Sequence, residues 1–312
     1  SLLLLVLAWR GLKESRASEG KIDLLGAGLI AVALTGLILG CAHEPLTVGA
    51  FDLRAPALAL ALLVFVGFVA TELRVADPIL HLDLLRQPAF AAGVLGGLVL
   101  GGGLIVAMVD VPLYAATVLN ATPADGGLLL MRLTVFIPVG ALLGGWLGHR
   151  LGLAAPTLLG FLAATLGLWL MANWGLAPAA GQLWLSLGLG GFGFGLLIAP
   201  LTTSSIDGAG IENAASAAGL FTVARLVGMT VGLSALTAWG LRRFDDLAGA
   251  IPMPLPRVGE SAASFQARSA AYTQSLLDVG AQVYHEIFLA AAVVCLLGVL
   301  VVPLLWRQRM KG

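Results

Sequence analysis

Eight long runs of predominantly apolar residues dominate the sequence, at roughly 22–41, 56–72, 89–118, 126–147, 156–174, 183–206, 214–241 and 284–306. Each approaches or exceeds the roughly 20 residues that an α-helix needs to cross a bilayer. A bilayer core offers the backbone no hydrogen-bonding solvent, so such runs cross it as helices. The chain therefore reads as an all-α integral membrane protein with eight full transmembrane helices. Composition agrees: 59% of residues are hydrophobic and 11% charged, against about 45–50% and about 25% in soluble domains. That excludes a soluble globular chain, and a disordered one more firmly. The 17 Lys and Arg balance 17 Asp and Glu, which leaves no basic surface for nucleic acid. A ninth apolar run, Leu2–Trp9, is too short to cross. It reads as the end of a truncated helix, with more protein expected upstream, because it lacks the charged start of a signal peptide.

Loop charge sets the orientation. Arg10, Lys13, Arg16 and Lys21 precede the first full span and should be cytoplasmic. Alternation then puts Arg74, Arg86, Arg150 and the tail Arg307, Arg309 and Lys311 on the same side, ten cations in all. Only five lie outside: Arg54, Arg242, Arg243, Arg257 and Arg268. The expectation is a multi-pass cell-membrane protein, in a bacterial inner or plasma membrane, with a cytoplasmic C-terminus. Trp174 and Trp184 then bracket an outer loop, and Trp146 and Trp306 sit at inner helix ends, as interfacial aromatics should.

Three zones follow. Residues 1–21 are a helix end and a charged cytoplasmic linker, and 22–88 hold two spans and the segment Ile79–Arg86, which either lies flat at the interface or is a polar connector. Residues 89–312 hold six spans, with a long outer loop at 242–283 in which Ser261–Val279 could form a helix outside the membrane. Cys41 and Cys295 each lie in an apolar run and read as small buried hydrophobes, not a disulfide or metal pair.

Ionisable side chains at membrane depth are costly, so they are the functional candidates. Asp110 and Arg132 stand at nearly equal distances from the turn at 119–124 and so at equal depth on an antiparallel hairpin. They are expected to pair across it, either as a proton-coupling site with Arg132 tuning Asp110 or as a static structural salt bridge. Arg225 sits midway along its span with no acid of that span to meet it. It faces a cavity or anionic group, or anchors neighbouring helix ends. His285 and Glu286 read as interfacial. Gly188-Leu-Gly190-Gly-Phe-Gly193 matches a dinucleotide fingerprint, but it lies within an apolar span and lacks the strand that such a site requires. Gly191 and Gly195 instead form a close-packing face, as do Gly140, Gly144 and Gly148, while Gly101–Gly103 let a neighbouring helix approach. Pro112 and Pro138 remove backbone hydrogen bonds inside spans, which transporters tolerate where a helix bends or lines a cavity. There is no metal-ligand spacing, no nucleophile elbow and no phosphate-binding loop. No cofactor is expected, and nothing reads as an enzyme.

Several segments, taken in order, resemble the C-terminal portion of a major facilitator superfamily transporter of the fourteen-helix drug:proton antiporter branch. They are Asp23-Leu-Leu-Gly26, Pro112-Leu-Tyr114, Thr122-Pro-Ala-Asp-Gly-Gly127, Gly145-Trp-Leu-Gly148-His149-Arg150-Leu-Gly152, and Ala217-Ala-Gly219 through Arg225, Gly228 and Gly232. His149 stands where the family's loop motif carries an acid. The resemblance makes 1–9 the sixth helix, the first two full spans the accessory pair, and 89–312 the C-terminal six-helix bundle. It implies proton-coupled export of hydrophobic or amphipathic molecules by alternating access, of the multidrug efflux type, jointly with an N-terminal six-helix bundle that this sequence does not contain. The bilayer, protons and a small-molecule substrate are the implied partners, and the fragment alone is expected to be inactive. The resemblance places Arg225, Pro112, Tyr114 and Pro138 along the substrate cavity or its gate, and Arg150 at a cytoplasmic gate. Two rival readings are another substrate or symport on the same fold, and a membrane scaffold or sensor without flux.

Overall fold

The computed structural model describes residues 24–40, 47–48, 51–72, 82–210, 213–257 and 260–309. The readings placed on Leu2–Trp9, the linker to Lys21, Asp23, Cys41, Arg74 and Ile79–His81 lie outside the described residues.

The first two helices are α1 (Leu24–Gly40) and α2 (Arg54–Glu72), joined through a small antiparallel hairpin of β1 (Thr47–Val48) and β2 (Phe51–Asp52). The sequence reading had not anticipated that hairpin. Close packing at Gly36 against Ala61 and at Gly40 against Leu58 holds α1 and α2 side by side. The pair packs mainly on itself and meets the remaining helices along a short stretch near α7. A 3₁₀ turn, Leu82–Arg86, follows; Leu84 there is buried with Phe90, Ala209 and Ala217.

The remaining helices are α3 (Pro88–Thr117), α4 (Pro123–Leu151), α5 (Ala154–Ala172), α6 (Ala180–Ala209), α7 (Ala214–Gly249) and α8 (Ala262–Leu297), with α8 continued by a 3₁₀ turn and α9 (Val302–Arg309). Among the described residues six helices are long and apolar enough to cross a membrane, from Pro88–Thr117 to Ala262–Trp306. The other two expected spans are shorter: α1 has 17 residues, and the apolar part of α2 is Ala55–Gly67.

α6 is the hub of the bundle, packed against α3, α4, α5 and α7, while α3 also carries α7 and α8. The glycines explain how one helix serves several neighbours. A Cβ added at Gly191 or Gly195 would collide with the carbonyl oxygens of Leu133 and Ile137 on α4. One added at Gly193 would strike the backbone of Ala164 on α5, and Gly190 abuts Gly167 there. Gly140 and Gly144 return the contact from α4 to Phe192 and Leu196, whereas Gly148 meets only Leu153. The fingerprint-like stretch 188–193 is thus a helix-packing surface. On α3, Gly101 lies against Arg225, Gly102 against Gly232, and Gly103 against the Cys295 thiol, so this segment does admit close neighbours. Cys295 is free and buried. Pro112, Pro138 and Pro200 all lie inside continuous helices.

The end carrying the 118–122 turn is called outer here, after the charge-based orientation. At that end the expected long loop at 242–283 is corrected by the structure. α7 runs on to Gly249, and α8 starts at Ala262 with Ser261 as its N-cap, so the expected outer helix and the last span are one continuous helix. The physical reason is the absence of a breaker: Pro252, Pro254 and Pro256 fall in the linker, and 262–297 contains no proline. Each of these helices has 36 residues, or about 54 Å, well beyond the roughly 30 Å of a hydrocarbon core. Arg243 clasps Glu286 across them (Nε–Oε2 3.0 Å, Nη2–Oε1 3.2 Å), and Gln282 also donates to Glu286.

Within the linker, Arg268 of α8 donates to Glu260 (Nε–Oε1 2.8 Å) and to the carbonyl of Leu255. The Arg268 hydrogen bond holds the Glu260 carboxyl below the usual glutamate range. With its folded-state value lowered, this clasp contributes stability above that range and loses it as pH falls through the folded-state value. Acidification below about pH 4 is expected to lower the protection of the Leu255 and Arg257 amides, measured against the intrinsic exchange rate at the same pH, more than in the centre of α8. Unchanged protection at those amides would show that the clasp holds nothing in place.

Candidate functional site

Asp110 lies on the α3 face that also carries Leu100, Gly103, Ala107 and Tyr114, all buried against the interior of the bundle. Its neighbours across the interface follow from the antiparallel register of α3 and α8, in which Gly103 meets Cys295 and Tyr114 meets Tyr284. Asp110 is 6% exposed and, among the described residues, has neither a hydrogen bond nor an ion pair. Among the described residues it is the buried acid of this core.

The expected Asp110–Arg132 pair does not form. Among the described residues the ion pairs join Arg243 to Glu286 and Arg268 to Glu260. The Arg132 guanidinium instead lies over the Trp184 ring of α6, 4.8 Å from its centroid. The hairpin count placed the two at similar depth, but depth does not fix azimuth, and across the hairpin Pro112 meets Gly126. Asp110 faces inward, whereas Arg132 belongs to the stripe Leu128, Arg132, Val135 and Val139 on the outer flank of α4, spaced by one or two helical turns.

Above Asp110 the outer end is closed by an aromatic cluster. Tyr114 packs on Trp174 (centroids 5.0 Å) and edge-on to Tyr284 (5.5 Å), and Phe288 joins both Trp174 and Tyr284. The Tyr114 hydroxyl donates to the Gly175 carbonyl, and Trp174 Nε1–H donates to Ser186 Oγ at 3.0 Å. The Thr117 hydroxyl donates its single proton to the Leu113 carbonyl at 2.8 Å, so the 3.1 Å contact with Tyr284 has the tyrosine as donor. His285 Nδ1–H donates to the Ala172 carbonyl at 2.8 Å. These bonds tie α3, α8 and the α5–α6 turn together. Sequence reasoning named Tyr114 but missed Trp174, Tyr284 and Phe288 as its partners. The available signal was rarity: two of only three tyrosines sit at the outer ends of spans.

The other named residues are dispersed. Arg225 is half-buried in α7, and its Nε is buried with no hydrogen-bond partner. Pro112 faces the first turn of α4 at Gly126. Pro138 is exposed on α4. At the opposite end of α4, Arg150 lies over the Trp146 ring at 4.5 Å, one turn back, with His149 exposed beside it and Gly152 ending the helix at φ 84°. Arg150 therefore stacks on its own helix here. The segment 122–127 is a capping box: Thr122 accepts from the Asp125 N–H and the Asp125 carboxylate accepts from the Thr122 N–H, with Pro123 at the first helical position. Among the described residues no group of three His, Cys, Asp or Glu side chains could hold a metal ion.

No family model matches the chain. It is 31% identical over 293 residues to a triacylglyceride transporter of Mycolicibacterium smegmatis, covering 90% of this chain and 52% of that protein. It is 32% identical over 297 residues to one of Mycolicibacterium hassiacum, covering 89% of this chain and 55% of that protein. A triacylglyceride transporter of Mycobacterium tuberculosis is 30% identical over 292 residues, covering 89% and 55%. The chain spans about half the length of the curated relatives it matches. Those relatives are named transporters, not enzymes, and their named cargo is hydrophobic. Together with six membrane-length helices they identify this chain as part of a membrane protein.

Proposed function

We propose that this chain is one half of a secondary active transporter that moves hydrophobic molecules across a bacterial plasma membrane, with neutral lipids of the triacylglyceride class as the first candidate cargo. The observation that carries the reading is Asp110, an acid enclosed in a six-helix bundle without a counter-ion among the described residues, in a chain similar to transporters of a neutral lipid. Such a group is costly to maintain and is the natural place to take up and release a proton. On this reading 89–312 is the C-terminal six-helix bundle of a major facilitator fold, α1 and α2 are accessory spans, and the C-terminus is cytoplasmic. A second bundle, supplied by the rest of a protein about twice this length, completes a cavity that opens to each side in turn. Arg225 and Tyr114, with the proline-bearing stretches at Pro112 and Pro138, form parts of that cavity or its gate. Proton-coupled export is then a difference in affinity between the two states, set by whether Asp110 carries its proton.

The test is flux through the full gene product in proteoliposomes under an imposed pH gradient, with a labelled triacylglyceride and, separately, a labelled amphipathic drug. Gradient-dependent movement of the neutral lipid is the expected result. Movement of the drug alone would shift the cargo to the multidrug type. Movement of neither, with the protein intact, would favour a scaffold or sensor.

A further inference from the structure

The outer end of the bundle is closed over Asp110 by side chains of this chain alone. Gly103 with Cys295, Tyr114 with Tyr284 and Val118 with Gly280 step in register along α3 and α8, so Asp110 stands at the level of Phe288. Thr117 is exposed seven residues further along α3, about 10 Å nearer the outer surface. The layer between them is aromatic. Tyr114, Trp174 and Phe288 are buried, and Tyr284 is half-buried. Trp174 belongs to a surface turn and lies between exposed Asn173 and Gly175, yet its ring is turned into the bundle and held by Ser186. It is a plug, not the interfacial anchor that its place beside an outer loop suggested. The layer is also pinned. Tyr284, His285 and Glu286 are successive residues of α8, about 100° apart around the helix, and they bond to Thr117 of α3, the Ala172 carbonyl of α5 and Arg243 of α7.

We propose that Tyr114, Trp174, Tyr284 and Phe288 form a fixed seal that denies Asp110 a direct path to the outer solution through the end of its own bundle. A carboxyl that exchanged protons with one side in every conformation would let a gradient run down without moving cargo. Closing that path ties proton exchange at Asp110 to the movement of the two bundles. The seal rests on packing within this chain; its role in coupling rests on the reading of Asp110 as the proton carrier. Aromatic rings suit the task. They fill the layer with apolar surface, and their polar atoms are bonded to neighbours, which leaves water no partner there.

The test places a thiol at the acid, Asp110→Cys, in the full gene product with its other cysteines replaced. The rate of its reaction with MTSET, a membrane-impermeant methanethiosulfonate, is measured with the reagent on the outer side of proteoliposomes. Trp174→Ala and Tyr284→Ala, each added to that background, are expected to raise the rate about tenfold or more, because water and reagent then enter through the vacated volume instead of waiting for the bundle to open. Tyr284→Phe keeps the ring and should keep the slow rate. Phe161→Ala removes an equally buried aromatic, packed against Gly298 in the inner half, and should also leave the rate slow. Rates unchanged by Trp174→Ala and by Tyr284→Ala would overturn the seal. So would an equal rise in Phe161→Ala, which would mean general loosening. The second readout is the decay of an imposed pH gradient without cargo, in protein with Asp110 intact. Trp174→Ala should speed that decay, and adding Asp110→Asn should slow it again. A faster thiol reaction without an Asp110-dependent leak would keep the seal and take the proton away from Asp110, so the two readings fail separately.

Discussion

Asp110→Asn in the full gene product is expected to reduce gradient-driven transport to the leak of empty vesicles while leaving expression and membrane insertion intact. Asparagine keeps the size and the hydrogen-bonding capacity of the acid, and among the described residues Asp110 has no ion pair to lose. The fold has no reason to change, and the interior position becomes cheaper to occupy. What the variant loses is the ability to differ between a protonated and an ionised state, the one property that the proposed mechanism needs. The check is the ratio of flux with and without the pH gradient, together with exchange of lipid at equilibrium. Loss of both, in a protein that elutes normally, would indicate a cavity defect. Loss of the gradient-driven part alone would mark Asp110 as the coupling group. Wild-type flux in Asp110→Asn would end the coupling role and leave Asp110 as a buried acid without function in transport. Arg132→Gln provides the internal contrast, because the structure separates it from Asp110 and predicts no effect on coupling.

Gly191→Val should be the most damaging single change to the fold. Gly191 faces the Leu133 carbonyl oxygen at the tightest crossing of α4 and α6, where even one added carbon would collide with backbone. Overpacking usually costs about 1–3 kcal/mol, and the neighbour here is a main-chain atom that no rotamer change can move aside. α6 also holds α3, α5 and α7, so a shift at this crossing disturbs the whole bundle. The expected outcome is loss of most of the monodisperse protein in detergent, with the residue aggregated. Gly181→Ala, on the same helix where nothing lies within 4 Å, should be neutral or slightly stabilising. Equal yields for Gly191→Val and Gly181→Ala would show that α4 and α6 are not so closely crossed.

The sequence made the helices and their packing faces legible because both are local properties. Hydropathy marks where a chain must satisfy its own backbone, and glycine spacing at three and four residues marks a face that a neighbour can approach. Gly191 with Gly195, and Gly140 with Gly144, were readable for that reason, and the structure matches each set with backbone of a specific partner helix. The pairing of Asp110 with Arg132 was not legible. Depth along a hairpin follows from counting residues, but the direction a side chain takes around its helix depends on which other helices surround it. The aromatic cluster is similar: Tyr114, Trp174, Tyr284 and Phe288 are far apart in the chain, and no spacing rule links them.

By itself, then, the sequence determined that this chain lies in a membrane, where six of its helices run, and that Gly191 with Gly195 and Gly140 with Gly144 face a neighbour, because each follows from short-range chemistry of the backbone and its solvent. Only the tertiary structure decided that Asp110 has no ion pair among the described residues, that Arg132 turns away to Trp184, and that α7 and α8 continue unbroken past the expected span ends. Those outcomes depend on azimuth and on long-range contact, where the gain from packing against a particular neighbour outweighs anything the local sequence prefers.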